Sequence, residues 1–206
     1  MSTFSPKKYK LCRRLGAGVF EQCQSQKFIL AQAKKAKTAM RGRRKRVSDY
    51  GLSLIEKQKV RVSYGLRERQ FAKYVDRALT SHNKDASPAL QLFRQLESRL
   101  DNIIYRAGYA HTRAFARQLA SHGHFLVNGV RTTVPSYQLK NGDTITIREG
   151  SKSRPVFNEL AKKLKAANNP NWLAIDEKSF TTTVKGVADN PDPFLNLQSV
   201  IEFYSK

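Results

Sequence analysis

TRAFARQLASHGHFLVNGV, residues 112–130, is the stretch of this chain that decides its fold. Arg113 and Arg117 are four residues apart, so a helix stacks them on one side. Phe115 and Leu119, also four apart, supply the opposite, buried side. We therefore predict a short amphipathic helix that carries two arginines on one face.

A β-hairpin follows this helix directly. Asn128-Gly129 is the dipeptide that best tolerates the positive φ angles of a type I′ turn, and it lies between the predicted strands Phe125–Val127 and Val130–Val134. Further strands are predicted at Thr144–Arg148, Trp172–Ile175 and Thr181–Val184. The region is thus expected to form a small antiparallel sheet beside the arginine helix.

Helices are predicted on both sides of this region. The first covers Ser48–Gly65, and a second begins at Leu66 with apolar residues at core spacing. A third, long helix is predicted over Pro88–Gly108 and is expected to cross from a first domain into a second. A short helix over Val156–Ala167 is expected to point Leu160 and Leu164 inward.

The charge of the chain points to a polyanionic partner. Its 206 residues include 38 Lys+Arg and 16 Asp+Glu, which gives a formal net charge of +22. Self-repulsion of this size destabilises a fold unless a polyanion neutralises it. No stretch is apolar enough to span a bilayer, and no long helix pairs a basic face with an apolar face as a membrane-surface protein would. Nucleic acid is the favoured polyanion.

Basic residues are concentrated near the N-terminus. Between Lys7 and Arg46 the only acid is Glu21, and the segment ends in Arg41-Gly42-Arg43-Arg44-Lys45-Arg46. Such a block is expected to be irregular until a polyanion wraps it. We interpret it as an RNA-binding extension; a nuclear-localisation signal or a solubilising tail is the alternative.

Metal and catalytic sites are not expected. Cys12 and Cys23 are the only cysteines and lie eleven apart, which does not fit zinc-ligand spacing, so two free thiols are predicted. His122 and His124 are interpreted as packing or RNA-contacting side chains. No nucleophile stands near a plausible base and no glycine-rich phosphate loop is present. The sequence therefore predicts no enzyme activity, no cofactor and no small-molecule substrate.

Several motifs stand in one order along nearly the whole chain. They are Leu11-Cys12-Arg13-Arg14, Ser48-Asp49-Tyr50-Gly51-Leu52, Glu56-Lys57-Gln58-Lys59-Val60-Arg61, Tyr64-Gly65-Leu66-Arg67-Glu68-Arg69-Gln70-Phe71, Arg99-Leu100-Asp101-Asn102, Ala116-Arg117-Gln118-Leu119, Ser121-His122-Gly123-His124, Val127-Asn128-Gly129, Pro135-Ser136-Tyr137-Gln138 and Tyr204-Ser205-Lys206. In these motifs the chain resembles the bacterial-type small-subunit ribosomal protein S4 family. The zinc-bearing form of that family has four cysteines near the N-terminus, whereas here Tyr9 stands at position 9, so the resemblance implies a cysteine-poor form.

The resemblance implies an α+β fold with two domains. A helical N-terminal domain carries a basic irregular extension, and an RNA-binding module packs two short helices on a small antiparallel β-sheet. We expect the extension over residues 1–46, the helical domain over 47–97 with the tail 187–206 packing back on it, and the α+β domain over 98–186 with its core module at 99–148.

The same resemblance implies a structural role in the small ribosomal subunit. A member of this family binds 16S-type rRNA directly, nucleates assembly of the subunit body, contacts ribosomal protein S5, contributes to translational accuracy and lines the path by which mRNA enters. The expected location is the cytoplasm of a bacterium, with an organellar ribosome left open. The alternatives are an RNA-modifying enzyme similar to pseudouridine synthases, or a free-standing stress RNA-binding protein, because both classes use the same module.

Two RNA-binding surfaces are expected, one on each domain. The first comprises Arg43, Arg44, Lys45, Arg46, Ser48, Tyr50, Lys57, Lys59, Arg61, Arg67 and Arg69. The second comprises Arg99, Thr112, Arg113, Ala116, Arg117, Gln118, Ser121, His122 and Asn128. Phosphate contacts would position the protein on folded RNA, and release of counterions would make the affinity fall with salt.

Overall fold

The computed structural model describes residues 7–39, 48–81, 86–157, 160, 164, 170–176, 179–189 and 193–205. The chain divides into two compact units, Met1–Ala89 with Asp192–Lys206, and Leu90–Pro191. Among the described residues, no helix is long and apolar enough to cross a bilayer.

The first unit is helical. Its helices are α1 (Lys8–Leu15), α2 (Gln26–Ala39), α3 (Asp49–Ser63), α4 (Glu68–Leu79) and the C-terminal α9 (Leu197–Ser205). Two short 3₁₀ turns, Ala17–Val19 and Glu21–Gln24, connect α1 to α2. Helix α5 (Pro88–Glu97) begins in this unit and continues into the second.

The predicted start and stop signals of α3 are confirmed. The Ser48 hydroxyl accepts the Gly51 N–H at 3.3 Å, which satisfies one of the free donors of the first turn. At the other end Gly65 takes a φ of +61°, and the Leu66 N–H donates back to the Arg61 carbonyl at 2.9 Å. This reversal places α4 directly after α3.

The C-terminal helix α9 packs on α3 and α4. Phe203 stacks against Tyr50 with ring centroids 5.4 Å apart, and Tyr204 meets Phe71 edge-on at 6.3 Å. The Tyr204 hydroxyl donates to Glu68 Oε1 at 2.8 Å. The end of the chain therefore belongs to the helical unit.

Cys12 and Cys23 are joined by a disulfide, so the expectation of free thiols is wrong. The two 3₁₀ turns fold the chain back, which brings residue 23 against α1 although the two cysteines are eleven apart in sequence. Both cysteines are fully buried and pack with Phe28 and Phe20. The spacing of the cysteines argued against a zinc motif but carried no information on this fold-back.

The second unit packs α6 (Leu100–Arg106) and α7 (Arg113–Ser121) beside a five-stranded antiparallel sheet. Its strands are β1 (Phe125–Val127), β2 (Val130–Arg131), β3 (Thr144–Ile147), β4 (Leu173–Asp176) and β5 (Thr181–Val184), in the order β2-β1-β3-β5-β4. A short helix, α8 (Glu149–Lys152), follows β3. The predicted strands from residues 172 and 181 are thus confirmed as part of this sheet.

The type I′ turn is confirmed, since Asn128 and Gly129 have φ angles of +49° and +80°. The second strand of the hairpin is shorter than predicted, however, because β2 ends at Arg131 rather than at residue 134. Beyond it the chain turns toward α6, where the Pro135 carbonyl accepts the Asp101 N–H at 3.1 Å. Residues 132–134, which were predicted as strand, instead connect β2 to a segment whose carbonyls accept N–H groups from the first turn of α6.

The prediction of one long helix over residues 88–108 is wrong, because this segment is broken into α5 and α6. Arg99 adopts an extended conformation and forms an isolated β-bridge with Gln138. The Leu139 N–H donates to the Ser98 carbonyl and the Leu100 N–H to the Tyr137 carbonyl, each at 2.8 Å. These bonds replace the helical ladder at the break.

The core of the second unit lies between α6, α7 and one face of the sheet. It includes Ile104, Leu119, Phe125 and Ile145, all almost fully buried. Leu160 and Leu164 are buried in the same core, while residues 158, 159, 161–163 and 165–167 of the helix predicted there lie outside the described part of the chain.

Candidate nucleic-acid interface

Glu97 lies at the end of α5 and is a buried carboxylate that holds cations from two helices. Its side chain is 1% exposed and receives two hydrogen bonds from Arg106, both at 2.9 Å. Asn102 Nδ2 donates to Glu97 Oε2 at 2.8 Å. Arg113 lies 4.0 Å from Glu97 Oε1, donates to Asn102 Oδ1 at 2.8 Å and stacks 4.5 Å from the Tyr105 ring.

Asp101 plays the same part for a second pair of arginines. Arg99 is 2% exposed and donates to both Asp101 oxygens, at 3.0 and 2.8 Å. Arg117 reaches Asp101 Oδ2 from α7, with Nε at 2.8 Å and a terminal nitrogen at 2.7 Å. The arginine face of α7 is therefore fixed by carboxylates on the preceding elements.

The cluster keeps an excess of positive charge. Four guanidinium groups (Arg99, Arg106, Arg113 and Arg117) surround two carboxylates (Glu97 and Asp101), so the cations of this cluster outnumber its acids by two among the described residues. The Arg113 and Arg117 side chains retain 22% and 33% exposure. Paired guanidinium groups are held in defined orientations, and their outer edges can still meet an anion.

Burial decides the role of several other predicted residues in this unit. Ala116 is fully buried, so we leave both it and Arg99 out of the contact surface. The Asn128 amide accepts the Thr144 N–H and donates to Asp143, each at 2.9 Å, so it ties the hairpin tip to β3.

The remaining predicted residues of this face lie on or beside α7. The Thr112 hydroxyl caps the helix by accepting the Phe115 N–H at 3.2 Å. Ser121 is exposed, and its hydroxyl donates to the Arg117 carbonyl at 2.8 Å. Gln118 and His122 are exposed.

In the helical unit, the predicted RNA-binding cations of α3 already contact acids, aromatic rings or a carbonyl of the same unit. Lys57 Nζ lies 2.5 Å from Glu68 Oε1 and 4.8 Å from the Phe203 ring centroid. Lys59 pairs with Glu56 at 2.6 Å and lies 4.8 Å from the Phe194 ring centroid. Arg61 donates to the Leu66 carbonyl at 3.2 Å.

Glu68, the first residue of α4, contacts Lys57, Arg61 and Tyr204. Burial acts to raise the pKa of its carboxyl, but hydrogen bonds from Lys57 and Tyr204 and the charges of Lys57 and Arg61 outweigh it, so the pKa lies below its usual value. Burial and the bond to Glu68 raise the pKa of the Tyr204 hydroxyl.

Tyr50, Arg67 and Arg69 remain exposed on the helical unit. Tyr50 is 66% exposed, with one ring face against Phe203, which leaves area for a stacked base. Arg43, Arg44, Lys45 and Arg46 lie outside the described residues.

A second basic cluster, which the sequence reasoning missed, surrounds His124. The His124 ring is buried against Phe157, and its Nδ1 lies 2.9 Å from the Ser151 hydroxyl. Burial lowers the pKa of this imidazole, and the charges of Arg154, His122, Arg148 and Arg131 lower it further. Residues distant in sequence meet here, so spacing alone could not reveal the cluster.

Among the described residues, no group of three or more potential metal ligands comes together.

Two protein families match the chain in sequence. Residues 98–145 match the family described as S4 domain, and residues 4–97 match the one described as Ribosomal protein S4/S9 N-terminal domain. The two matches cover the helical region and the module that contains the arginine helix and the hairpin.

Curated relatives match over most or all of their length. A protein of Persephonella marina is 41% identical over 202 aligned residues, 95% of each chain, and one of Cupriavidus taiwanensis is 42% identical over 212 aligned positions that cover both chains completely. A protein of Aquifex aeolicus is 45% identical over 170 residues, which is 80% of this chain and 79% of the relative. All three carry the name small ribosomal subunit protein uS4.

Proposed function

We infer that this chain, which belongs to the small ribosomal subunit protein uS4 family, is a structural protein of the small ribosomal subunit that binds its RNA. The observation that carries this inference is the end-to-end match to relatives of that name, at identities above 40%. Membership of this family makes the chain a structural protein rather than an enzyme.

The geometry supports RNA binding through positioned cations. A structured RNA presents closely spaced phosphates, and a protein that neutralises them releases condensed counterions. The arginines around Glu97 and Asp101 present fixed guanidinium edges with a net positive charge. The narrow major groove of A-form RNA excludes side chains, so contacts are expected with phosphates, 2′-hydroxyls and the minor groove.

Finer parts of the role are proposals. We propose that the protein binds 16S-type rRNA directly in its 5′ part and nucleates assembly of the subunit body. Ribosomal protein S5 and mRNA entering the subunit are proposed as further contacts, with an influence on translational accuracy. The proposed location is the small ribosomal subunit of the bacterial cytoplasm.

Sedimentation of ribosomes from the source cells tests the structural role. Subunits are separated on sucrose gradients after a wash in about 1 M salt, where the Debye length falls to about 3 Å and loosely held cationic proteins dissociate. We expect one copy of the chain per small subunit, quantified by mass spectrometry against known subunit proteins. Loss of the chain in the wash would contradict a structural role and favour a free-standing RNA-binding factor.

An assay for RNA modification tests the enzymatic alternative. Purified protein is incubated with tRNA and rRNA transcripts, whose nucleosides are then analysed by mass spectrometry. No new modification is expected. Formation of pseudouridine above that in a heat-denatured control would contradict the proposed function.

A further inference from the structure

Arg148 and Arg154 are exposed cations on either side of α8. Both lie C-terminal to residue 145, where the match to the S4 domain ends. Neither guanidinium has a carboxylate partner among the residues that the structure describes. They differ in this from Arg113 and Arg117, which buried carboxylates hold.

Backbone contacts fix where these two arginines lie. The Arg148 N–H donates to the His124 carbonyl at 2.9 Å, and the Ser151 N–H donates to the Arg148 carbonyl at 2.8 Å. The Arg154 N–H donates to the Ser151 carbonyl at 3.1 Å, while the Ser151 hydroxyl is hydrogen-bonded to the His124 ring. His124 is therefore the buried support of this turn, and both arginines lie around it.

Gly123 brings a third arginine to the same place. Its φ is +69°, and a Cβ at this position would lie 2.5 Å from the Arg131 Nε. The absence of a side chain lets the Arg131 guanidinium lie along the backbone between His122 and His124 and donate to the His122 carbonyl at 3.4 Å. Arg131 on β2 and His122 after α7 are both exposed.

Among the described residues, the salt bridge of α8 does not involve this group. Glu149 is the carboxylate of α8, and it pairs with Lys152 at 2.6 Å while remaining 85% exposed. The four side chains His122, Arg131, Arg148 and Arg154, here called the α8 cationic surface, thus carry three full positive charges, and no described carboxylate forms a salt bridge with them. Such a surface on a supported backbone favours a polyanion with regularly spaced charges.

We propose that the α8 cationic surface is a second contact of this unit with the phosphodiester backbone of folded RNA. It lies on different elements from the arginines of α7 that Glu97 and Asp101 hold. The surface binds phosphates, so it contributes affinity and salt dependence rather than recognition of bases. This inference rests on the proposed function and names the part of the unit that meets the RNA.

The test compares charge-neutralised variants of the full chain. Arg148→Gln with Arg154→Gln removes two charges of the α8 cationic surface. Lys140→Gln with Lys185→Gln is the matched control, since Lys140 and Lys185 are exposed and lie near the opposite end of β3. Affinity for a 5′-domain fragment of small-subunit rRNA is measured by filter binding at five salt concentrations, and unfolding curves verify that each variant folds.

We expect the arginine variant to bind at least tenfold more weakly at about 0.1 M salt, with the slope of log affinity against log salt reduced by about one per arginine. The lysine control should shift both quantities much less. Arg148→Lys with Arg154→Lys keeps the charge and should restore the slope. An arginine variant that matches its lysine control, while wild type still prefers the rRNA fragment, would overturn this inference alone. Wild-type binding no tighter than to an unrelated folded RNA would instead contradict the proposed function.

Discussion

Glu97 and Asp101 are buried acids that pair with the arginines of the second unit. Each is almost fully buried and bonds arginines from two different elements. A buried charge that loses its partner keeps its desolvation cost without the compensating attraction. The cationic face of α7 therefore depends on two acids that lie before it in sequence.

Replacement of Asp101 by Asn is expected to lower the free energy of unfolding by about 3–5 kcal/mol, because Arg99 stays buried without its counter-charge. Urea unfolding followed by circular dichroism measures this loss. Glu149→Gln is the control, since that carboxylate is exposed and pairs with Lys152. Equal free energies of unfolding for the two variants would show that the Asp101 pairing does not stabilise the fold.

Acid should destabilise the protein through His124. Its folded pKa is lowered, so the unfolded chain binds the proton more readily, and the stability present above about pH 6.5 is lost as the pH falls. We expect wild type to lose more stability between pH 7.5 and 5.5 than His124→Gln does, by up to about 1 kcal/mol. Exposed His111→Gln should retain the wild-type loss, and an identical pH dependence in all three proteins would refute this assignment.

At the scale of elements, α9 and the disulfide fasten the two ends of the helical unit. Tyr204 anchors α9 through Glu68, and Cys23 anchors the fold-back after α1 through Cys12. Periodicity and capping signals predicted the bounds of α3 and the type I′ turn because both are local. They could not predict the break at Arg99 or the disulfide, because carbonyls and side chains from distant segments determine both.

Tyr204→Phe removes the hydrogen bond to Glu68 and leaves the ring contact with Phe71. We expect a loss of about 1 kcal/mol in the free energy of unfolding, since water reaches the half-exposed Glu68 and replaces part of the bond. Tyr137→Phe, on an exposed loop, should lose less. A stability equal to that of wild type would contradict the anchoring role of Tyr204.

Reduction of the disulfide should loosen the fold-back. Closing a loop of this length is worth about 3 kcal/mol, so dithiothreitol should lower the unfolding midpoint of wild type. The double variant Cys12→Ser and Cys23→Ser should already unfold at the lower midpoint and should not respond to the reductant. An unfolding midpoint of wild type that does not change on reduction would contradict a stabilising disulfide.

At the scale of the whole molecule, the net charge of +22 is the property that RNA binding explains. The sequence located the arginines of α7 and the unit that carries them. It could not tell which arginines are tied to acids, because pairing depends on helices that meet only after folding. For this reason Arg113→Ala with Arg117→Ala would remove two of the proposed RNA contacts and also take one arginine partner each from buried Glu97 and Asp101.

The most direct measurement is a competition between RNAs over a range of salt concentrations. The full chain is titrated with a 5′-domain fragment of small-subunit rRNA and with an unrelated folded RNA of equal length. We predict a preference of tenfold or more for the rRNA at about 0.15 M salt, and an affinity for both RNAs that falls steeply as salt rises. Equal affinities for the two RNAs at every salt concentration would contradict a specific ribosomal role.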